Sequence, residues 1–518
     1  MRQAKPGRAA HPAARPAAET DTVTVRMYKG LLGDCFLLQL GSGAGRSNIL
    51  IDCGVLQGIA GASDRMKAVA SDIVAATGGH LDLLVVTHEH WDHISGFAHA
   101  ADVFLEGGVT IDTLWMGWTE NDADPQARGL RDRFEKAKVA VAAAAGYAVK
   151  LADQGVAGAA GVTAGLEAFI GPVDAGLGAT GRRTGRQILQ DLKIVAGKVA
   201  YLEPGQILAT PGKTALRAHV LGPPRSEARL FKPLPSAGDN KETYLGGDGL
   251  SLADNLRGAI ALQEGETDPD IPFPKRYRYT LPETPAPAAV AGPPAAAADD
   301  DGPAAWLAKA YIEGADWRRI DADWLGGAGA LALKLDSNTN NTSLVLGFET
   351  PAGRVLLFAA DAQVGNWLSW YDQTYPPAAA APAAAAAAPA TVGVTAEDLL
   401  ARTVVYKVGH HGSHNATLDA LGLDKMTSPD LVAFIPVVET DAHAQGGGWN
   451  MPFPAILSRL MNRSQGRVLR GDAKAGCGPD GAALTRDPTF LDRVSDGPDG
   501  LFVEYRLPPS QVGAFPAV

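Results

Sequence analysis

The sequence predicts an α/β fold in which one core is interrupted by insertions. Strand-like segments and helical patterns alternate along much of the chain, and the run "LDLLVV" is apolar throughout. A strand without polar alternation is typical of a sheet that is covered on both faces, so we expect a mixed sheet between layers of helices. Neither half of the chain holds a closing set of strands on its own, which favours a single interrupted core.

Composition restricts the class of protein. With 518 residues, 46% of them hydrophobic, the chain can bury a large core, and its net charge of −11 argues against passive coating of nucleic acid or anionic membranes. Cys35, Cys53 and Cys477 form no CxxC pair, which argues against a disulfide framework or a thiolate zinc site. No secretory signal and no bilayer-spanning stretch is evident. We therefore expect a soluble cytoplasmic protein.

The first strands follow a short N-terminal tail. Residues 1–20 are rich in Ala, Pro and Arg without periodicity and are predicted to be disordered, ahead of a domain over residues 21–510. Strands are predicted at "TVTVRMY", "CFLLQL", "SNILIDCG" and "LDLLVV". A helix is predicted over "HISGFAHAADVFLE", followed by another strand at "IDTLWMGW".

Two insertions and a linker are predicted to interrupt this domain. Residues 121–200 form a helical insertion with the long helix "LRDRFEKAKVAVAAAAGYAVKLA", residues 225–329 an irregular insertion with a Pro/Ala linker, and residues 373–395 a second Pro/Ala linker. Further strands are predicted at "ALRAHVLGPP", "ALALKLDS", "TSLVLGFET", "RVLLFAADA", "TVVYKV" and "DLVAFIPVV". A late helix is predicted over "PFPAILSRLMNR".

The segment "THEHWDHISG" (87–96) concentrates metal-binding side chains at the end of an apolar strand. Since residues i and i+2 of a strand share a side, His88, His90 and Asp92 are expected to point to one spot, which His93 reaches from the first turn of the next helix. Imidazole and carboxylate groups bind zinc, manganese or iron, and four of them in six residues suit a two-metal site. The alternative is a polar loop with solvated histidines.

Two other apolar strands end in residues of the same type. "RVLLFAADAQ" ends on Asp361, which could bridge two cations or could simply cap a helix. "TVVYKVGHHGSHNAT" ends on His410 and His411 in a glycine-flanked loop, where the alternative is again solvated histidines. Because mixed α/β sheets build their sites at strand ends, we expect these residues to meet the 88–93 segment.

"THEHWDH" resembles the signature of the metallo-β-lactamase superfamily, whose fold is an αββα sandwich with a dinuclear metal site at one sheet edge. "GDCFLLQL", "ILIDCG", "VLGPP", "NNTSLVL", "LLFAADA", "YKVGHHGS" and "GWNMPFPAILSRL" follow in the expected order. Together they look like the metallo-β-lactamase-like domain of competence-type DNA-uptake proteins and like phosphorylcholine esterases. The resemblance covers residues 22–120, 200–225 and 330–505 and excludes the insertions.

The resemblance implies a set of metal ligands. His88 and His90 would hold a first ion; Asp92, His93 and His411 would hold a second; Asp361 would lie between them. Asp52 would be a buried carboxylate that orients the ligand loop. Most of the superfamily supplies another histidine before the "SLVL"-like strand, where this chain has Asn340 and Asn341. His219, inside an apolar strand, is interpreted as a core histidine. The first ion is therefore expected to have fewer protein ligands.

A dinuclear site predicts hydrolysis by a metal-bridging hydroxide, with zinc expected and manganese as the alternative. Phosphoesters or phosphodiesters, nucleic acid among them, are the expected substrates, because the attacking and the leaving oxygen can both be stabilised. Asp92, His410 and Asn341 are the candidate catalytic residues. Ser413, His414 and Lys407 are secondary candidates whose alternative is ordinary loop hydrogen bonding.

Other functions remain open at this stage. One is hydrolysis of a carboxylic ester, lactone or thioester; another is a non-catalytic metal-binding interaction or sensor protein. A di-iron redox site is disfavoured because His90 stands where such sites have a glutamate. Local positive charge could contact single-stranded nucleic acid or could mark an exposed edge strand. That charge lies at Arg182, Arg183, Arg186, Lys275, Arg276 and Arg278, with Tyr277 and Tyr279 between the last cations. The sequence does not indicate an oligomeric state.

Overall fold

The computed structural model describes residues 22–153, 183–232, 335–376, 393–444 and 449–515, with the backbone alone for 142–153. The predicted N-terminal tail, nearly all of the 225–329 insertion and most of the 373–395 linker lie outside these ranges, so those predictions stay predictions. The same holds for Arg182 and for the cations of residues 275–278.

Seventeen strands form two large sheets and one small ribbon in the described residues. In chain order they are β1 (Val23–Tyr28), β2 (Cys35–Leu40), β3 (Ser47–Cys53), β4 (His80–Val85), β5 (Thr110–Gly117), β6 (Lys198–Leu202), β7 (Ile207–Ala209), β8 (Arg217–Gly222), β9 (Val345–Glu349), β10 (Val355–Phe358), β11 (Thr374–Tyr375), β12 (Val394–Thr395), β13 (Thr403–Lys407), β14 (Val432–Ile435), β15 (Val468–Arg470), β16 (Val494–Asp496) and β17 (Phe502–Arg506).

The first sheet has eight strands in the order β16-β17-β1-β2-β3-β4-β5-β6, and the second has seven in the order β15-β14-β13-β10-β9-β8-β7. Both sheets are mixed: β3 through β6 pair in parallel, as do β10, β13, β14 and β15, while the remaining pairs are antiparallel. β11 and β12 pair with each other.

Helices cover the outer face of each sheet. In chain order the described helices are α1 (Ala62–Thr77), α2 (Trp91–His99), α3 (Ala101–Phe104), α4 (Pro125–Asp153), α5 (Gly185–Val195), α6 (Glu227–Leu230), α7 (Val364–Trp370), α8 (Ala396–Ala401), α9 (Glu439–Ala444), α10 (Pro454–Arg463), α11 (Pro488–Leu491) and α12 (Pro509–Val512). Residues 335–340 are helical as well.

Side-chain alternation along the strands divides the core into three layers. In β2, Phe36 and Leu38 pack between the two sheets, whereas Cys35 and Leu37 pack outward against the first helical layer. That layer consists of α1, α2 and α5, and a third cluster packs α7, α8 and α10 on the second sheet. The chain thus has the predicted αββα arrangement, in which each sheet is buried on both faces.

Most predicted elements coincide with observed ones, and one does not. "ALALKLDS" was expected to be a strand, but its described residues begin the 335–340 helix, so the strand prediction is wrong for residues 335–337. In the predicted helical insertion, α4 and α5 are helices, but Ile188, Leu189 and Leu192 of α5 belong to the core beside the first sheet. This part of the insertion is therefore an integral piece of the outer layer.

Two further findings concern the class of protein. Cys35 and Cys53 face each other across β2 and β3, yet both are free thiols, as is Cys477. No helix in the described ranges combines the length and the apolar character that crossing a membrane requires.

Candidate metal centre

Asp52 fixes the loop that follows β4. Its backbone has φ of +53°, and its carboxylate is buried. The carboxylate accepts hydrogen bonds from the backbone N–H of Thr87 at 2.8 Å and from the Thr87 hydroxyl at 2.7 Å, and it lies 2.8 Å from His93 Nδ1. With Nδ1 donating to Asp52, the Nε2 atom of His93 is left to face the interior of the site. The prediction that Asp52 is a buried carboxylate bonded to this loop is confirmed.

His93 lies at the centre of four carboxylates. Its Nε2 atom is 3.1 Å from Asp361 Oδ2 and 3.7 Å from Asp92 Oδ2. Burial opposes a charge on the ring, but Asp361, Asp34, Asp92 and Asp52 outweigh burial and raise the pKa of His93 well above its usual value. The surroundings of this ring therefore favour a positive charge at the position that it occupies.

His411 approaches the same point from the loop after β13. Its Nδ1 atom donates to the backbone carbonyl of Pro436 at 2.8 Å, and its Nε2 atom is 2.9 Å from Asp92 Oδ2. His410 and His411 both have positive φ, +44° and +52°, a backbone conformation that costs free energy for residues other than glycine. Strain of this kind concentrates at functional sites, and here it turns His411 toward Asp92.

Asp361 and a buried lysine hold the far side of the site. The Oδ1 atom of Asp361 accepts from Lys407 Nζ at 3.2 Å and from the backbone N–H of His410 at 3.1 Å. Lys407 also donates to the carbonyl of Ala360 at 2.8 Å and forms a close ion pair with Asp34. Asp34 and Asp361 raise the pKa of Lys407 despite its burial, so the ammonium is charged. These contacts occupy Oδ1 of Asp361 and leave Oδ2 directed at His93.

The rings of His88 and His90 lie beside His93, and His90 lines the cavity described below. The ring of His88 lies 4.2 Å from that of His93 and 4.7 Å from that of His90, measured between centroids. The Nδ1 atom of His88 contacts the hydroxyl of Thr87 at 3.1 Å, which leaves Nε2 for the interior. Burial lowers the pKa of His88 and of His90, so both rings are neutral and can act as ligands.

The polar atoms that converge here fit a metal ion better than they fit one another. His88 Nε2 and Asp34 Oδ1 are buried and have no hydrogen-bond partner, and the buried atoms His93 Nε2 and Asp361 Oδ2 lie 3.1 Å apart as an ion pair without hydrogen-bond geometry. One ligand atom from each of Asp34, His93, Asp361 and His411 lies within 4.8 Å of the others, and we call these four residues the central cluster. Unpartnered buried nitrogens and carboxylate oxygens cost free energy that coordination of a cation would recover. The residues therefore fit a divalent metal.

A cavity of about 360 Å³ opens onto these residues. His90, Asp92, His410 and His411 line its polar end. Its other wall is largely apolar and consists of Leu32, Leu56, Trp91, Trp449, Met451 and Phe453. Burial lowers the pKa of His410 to about 4, so its ring is neutral near pH 7. A cavity of this size, with polar groups converging at one end, suits a small substrate or one terminal group of a larger one.

The other predicted residues occupy different environments. The Asn341 side chain is buried and bonded to the backbone: its amide donates to the Lys232 carbonyl at 3.1 Å, and its oxygen accepts from the backbone N–H groups of Gln363 and Asn366. These bonds hold the start of α7 and do not face the cavity. Ser413 and His414 line the cavity, with the Ser413 hydroxyl bonded to Asn415.

The predicted surface cations that lie in the described residues are close to carboxylates. Arg183 forms an ion pair with Asp191 at 3.0 Å, and Arg186 lies 4.0 Å from Asp122.

Sequence reasoning missed Asp34, Asp336 and Lys138. Asp34 was part of a quoted motif, but a single carboxylate before a strand gave no reason to place it beside His93. A signal was present in its neighbour, because a Cβ atom at Gly33 would lie 2.6 Å from the backbone oxygens of Asp92 and Gly54. Such a requirement for glycine indicates that segments distant in sequence approach closely.

Lys138 of α4 contacts the segment 88–93, which holds several of the predicted metal ligands. It forms an ion pair at 2.5 Å with Glu89, which lies between His88 and His90. The strand β4 ends at Val85, and Glu89 lies in a bend before α2, so strand alternation, which the sequence prediction used, does not orient it and a long-range partner could not be inferred from the motif.

Comparison with known proteins agrees with this geometry. Residues 28–184 match the family model described as the metallo-beta-lactamase superfamily. No curated protein matches the chain. The matched region includes the 88–93 segment, and with the two stacked sheets it identifies the fold as a metallo-β-lactamase α/β sandwich. The match and the central cluster together indicate a metal-dependent hydrolase. The more specific resemblance to competence-type proteins and phosphorylcholine esterases stays a prediction.

Proposed function

We propose that this protein hydrolyses phosphoesters, phosphodiesters in particular, with two divalent ions, zinc or manganese, held by His88, His90, Asp92, His93, Asp361 and His411. The observation that supports this most is the convergence of unpartnered ligand atoms from three strand ends: His88 Nε2 and His93 Nε2 after β4, and Asp361 Oδ2 after β10, with His411 added after β13. When bound, a pair of such ions lowers the pKa of a water molecule and polarises the ester group.

The protein's own residues would position the ligands and the substrate. Asp52 holds His93 in one tautomer through Nδ1, and the Pro436 carbonyl does the same for His411. Lys407 and the His410 N–H hold Asp361 with Oδ2 directed inward. A ligand set fixed before the metal arrives pays less entropy on binding and on reaction.

His410 is the candidate residue for contact with the substrate. It lines the cavity next to His411, and its Nδ1 atom is buried without a hydrogen-bond partner. A neutral imidazole at this place could donate a hydrogen bond to a phosphoryl oxygen or to the leaving group. We propose Asp92 as a further participant and assign Asn341 a positioning role at the start of α7, because its polar atoms bond to backbone groups.

The apolar wall of the cavity favours certain groups on the phosphoester substrate. Trp91, Trp449, Met451 and Phe453 would contact a flat or apolar group attached to the phosphorus, since aromatic side chains stack on such groups at little entropic cost. We therefore propose diesters with an aryl or nucleoside group as the first substrates to try. Hydrolysis of carboxylic esters or thioesters uses the same metals and is the alternative.

A substrate panel tests the proposal. Bis-p-nitrophenyl phosphate, a lactone and a thioester would be compared with zinc-loaded and manganese-loaded protein. We expect the phosphodiester to have the highest kcat/KM by at least about tenfold, about 1.4 kcal/mol of transition-state stabilisation. A lactone or thioester preference would contradict the substrate class. No turnover on all three by protein with two bound ions would favour a non-catalytic role.

Two variants test the site separately from the substrate. His90→Ala and Asp361→Ala are expected to lose turnover by more than about 100-fold, because loss of an outer partner of a ligand alone costs 10–100-fold. Circular dichroism and metal content would show that the fold survives and that an ion is lost. Wild-type turnover in either variant would contradict the site assignment.

A further inference from the structure

The helical residues 335–340 bring an acidic side chain to the edge of the site. Asp336 lines the cavity that contains His90, Asp92 and His411. Its Oδ1 atom lies 3.7 Å from His90 Nε2. Two atoms bound to one ion at about 2.0–2.2 Å can be at most about 4.4 Å apart, so this separation permits both to bind the same cation.

The surroundings of Asp336 do not otherwise satisfy its charge. Its side chain is only 18% exposed, and within the described ranges no lysine or arginine pairs with it. The nearby carboxylates of Asp92 and Asp361 repel its negative charge. A carboxylate buried among other carboxylates is stable only with a proton or a cation beside it.

A neighbour on the same helical turn orients the carboxylate. The Asn340 side-chain amide donates to Asp336 Oδ2 at 3.2 Å, which leaves Oδ1 directed toward His90. Outer partners of this kind commonly fix one oxygen of a ligating carboxylate. Asn340 occupies the sequence position where most relatives of this superfamily were expected to supply a histidine, so the segment that lacks the histidine carries an acid four residues earlier.

We propose that Asp336 is the third protein ligand of the ion that His88 and His90 hold. The proposal rests on the dinuclear site proposed above and adds to it the residue that completes the first metal position. A carboxylate in place of an imidazole makes this position harder and more anionic, which favours manganese or zinc over copper(I) and other soft ions.

Metal titration of four proteins tests the proposal. The proteins are wild type, Asp336→Ala, Asp336→Asn and Asp372→Ala, each freed of metal and titrated with Zn²⁺ and with Co²⁺. The Asn variant can still accept the bond from Asn340, so it removes charge with little change in packing. The Asp372 side chain is 56% exposed and pairs with Arg229, which makes it a matched control for loss of one acid from the surface.

We expect wild type and Asp372→Ala to bind two ions per chain. Both Asp336 variants should keep one ion at wild-type affinity and bind the other at least about 100-fold more weakly, with the Co²⁺ absorption of the weakened position changed. Two ions at wild-type affinity in both Asp336 variants would overturn the proposal. Absence of any ion from the wild-type protein would instead refute the dinuclear site of the proposed function. Circular dichroism of the Asn variant separates loss of a ligand from loss of the fold.

Discussion

Two regions at opposite ends of β9 bury histidine together with carboxylate, and they differ in how the polar atoms are paired. At one end, Ser343 lies beside His88 just before the strand begins. At the other end, about 20 Å away by the rise of six extended residues, Glu349 contacts His219 Nε2 at 2.8 Å and forms a close ion pair with Arg402. We call the three residues at the second end the Glu349 cluster.

The comparison shows what distinguishes a metal centre from a core ion pair. In the Glu349 cluster the carboxylate has His219 and Arg402 as close partners and Arg217 3.8 Å away, and only His219 Nδ1 is left without a partner. At the candidate metal centre, buried atoms of His88, His93, Asp34 and Asp361 lack hydrogen-bond partners, and ligand atoms of the last three lie with one of His411 within 4.8 Å of one another. One unpartnered ring nitrogen is compatible with a core histidine, whereas several buried polar atoms without hydrogen-bond partners at one place favour a bound cation. The interpretation of His219 as a core histidine is confirmed.

Lys407→Met should produce the largest change in stability. It removes the buried ammonium from between the two buried carboxylates of Asp34 and Asp361, which then keep His93 as a neighbour but lose their lysine partner. We expect the free energy of unfolding of the metal-free protein to fall by about 3–5 kcal/mol, measured by urea denaturation. Bound metal should restore part of this loss, because an ion replaces the missing charge.

Lys425→Met is the control for that experiment. Its partner Glu397 lies at 2.7 Å, but both side chains are largely solvated, so the change should cost at most about 1 kcal/mol. Equal losses in the free energy of unfolding for Lys407→Met and Lys425→Met would contradict the view that the buried ammonium of Lys407 stabilises the two buried carboxylates.

Lys138→Met tests whether the insertion helix α4 helps to fix the segment 88–93 for metal binding. Glu89 would lose its partner, and the 88–93 segment would be less well fixed, so we expect metal affinity to fall by about 10–100-fold with little change in the number of ions. Isothermal titration with Zn²⁺ measures this. Arg133→Met is the matched control, because Arg133 on the same helix pairs with Glu227 at 2.7 Å away from the loop. A loss of affinity in the control as large as in Lys138→Met would show a general effect of α4.

Glu349→Gln should have the smallest effect, and one that depends on pH. Burial alone would raise the pKa of Glu349, but His219 and Arg402 outweigh it and lower the pKa from 4.5 to about 2. The stabilising contribution of the ionised carboxylate is therefore present above pH 4.5 and is lost as the pH falls from 4.5 toward 2.

We expect the variant to be less stable than wild type by about 1–2 kcal/mol at pH 7, and the difference to disappear near pH 2. Denaturation at several pH values measures it, with zinc affinity at pH 7 unchanged. A weaker zinc site in this variant would contradict the separation of the two regions.

The sequence was sufficient to predict most of the secondary-structure elements and most of the side chains that meet at the site. Apolar runs ending in His, Asp or paired His identified β4, β10 and β13, because the ends of such strands gather at one edge of a sheet. His93, Asp361 and His411 lie together as expected, at 3.1 Å between the first two.

The parts that were missed depend on contacts between distant segments. Lys407 was only a secondary candidate, since nothing in "VVYKVG" indicates that its ammonium lies between Asp34 and Asp361. Asp336 lies in "ALALKLDS", which was predicted to be a strand, and local patterning could not show that residues 335–340 are helical beside His90. Both depend on tertiary packing, which overrides the predicted strand only for residues 335–337.

Metal content tests the central claim most directly. The purified protein, stripped with chelator and then dialysed against Zn²⁺ or Mn²⁺, would be analysed by elemental mass spectrometry for ions per chain, beside His93→Ala treated in the same way. The account predicts two ions in the wild-type protein and fewer in the variant. A folded wild-type protein that retains no ion of either metal would contradict it.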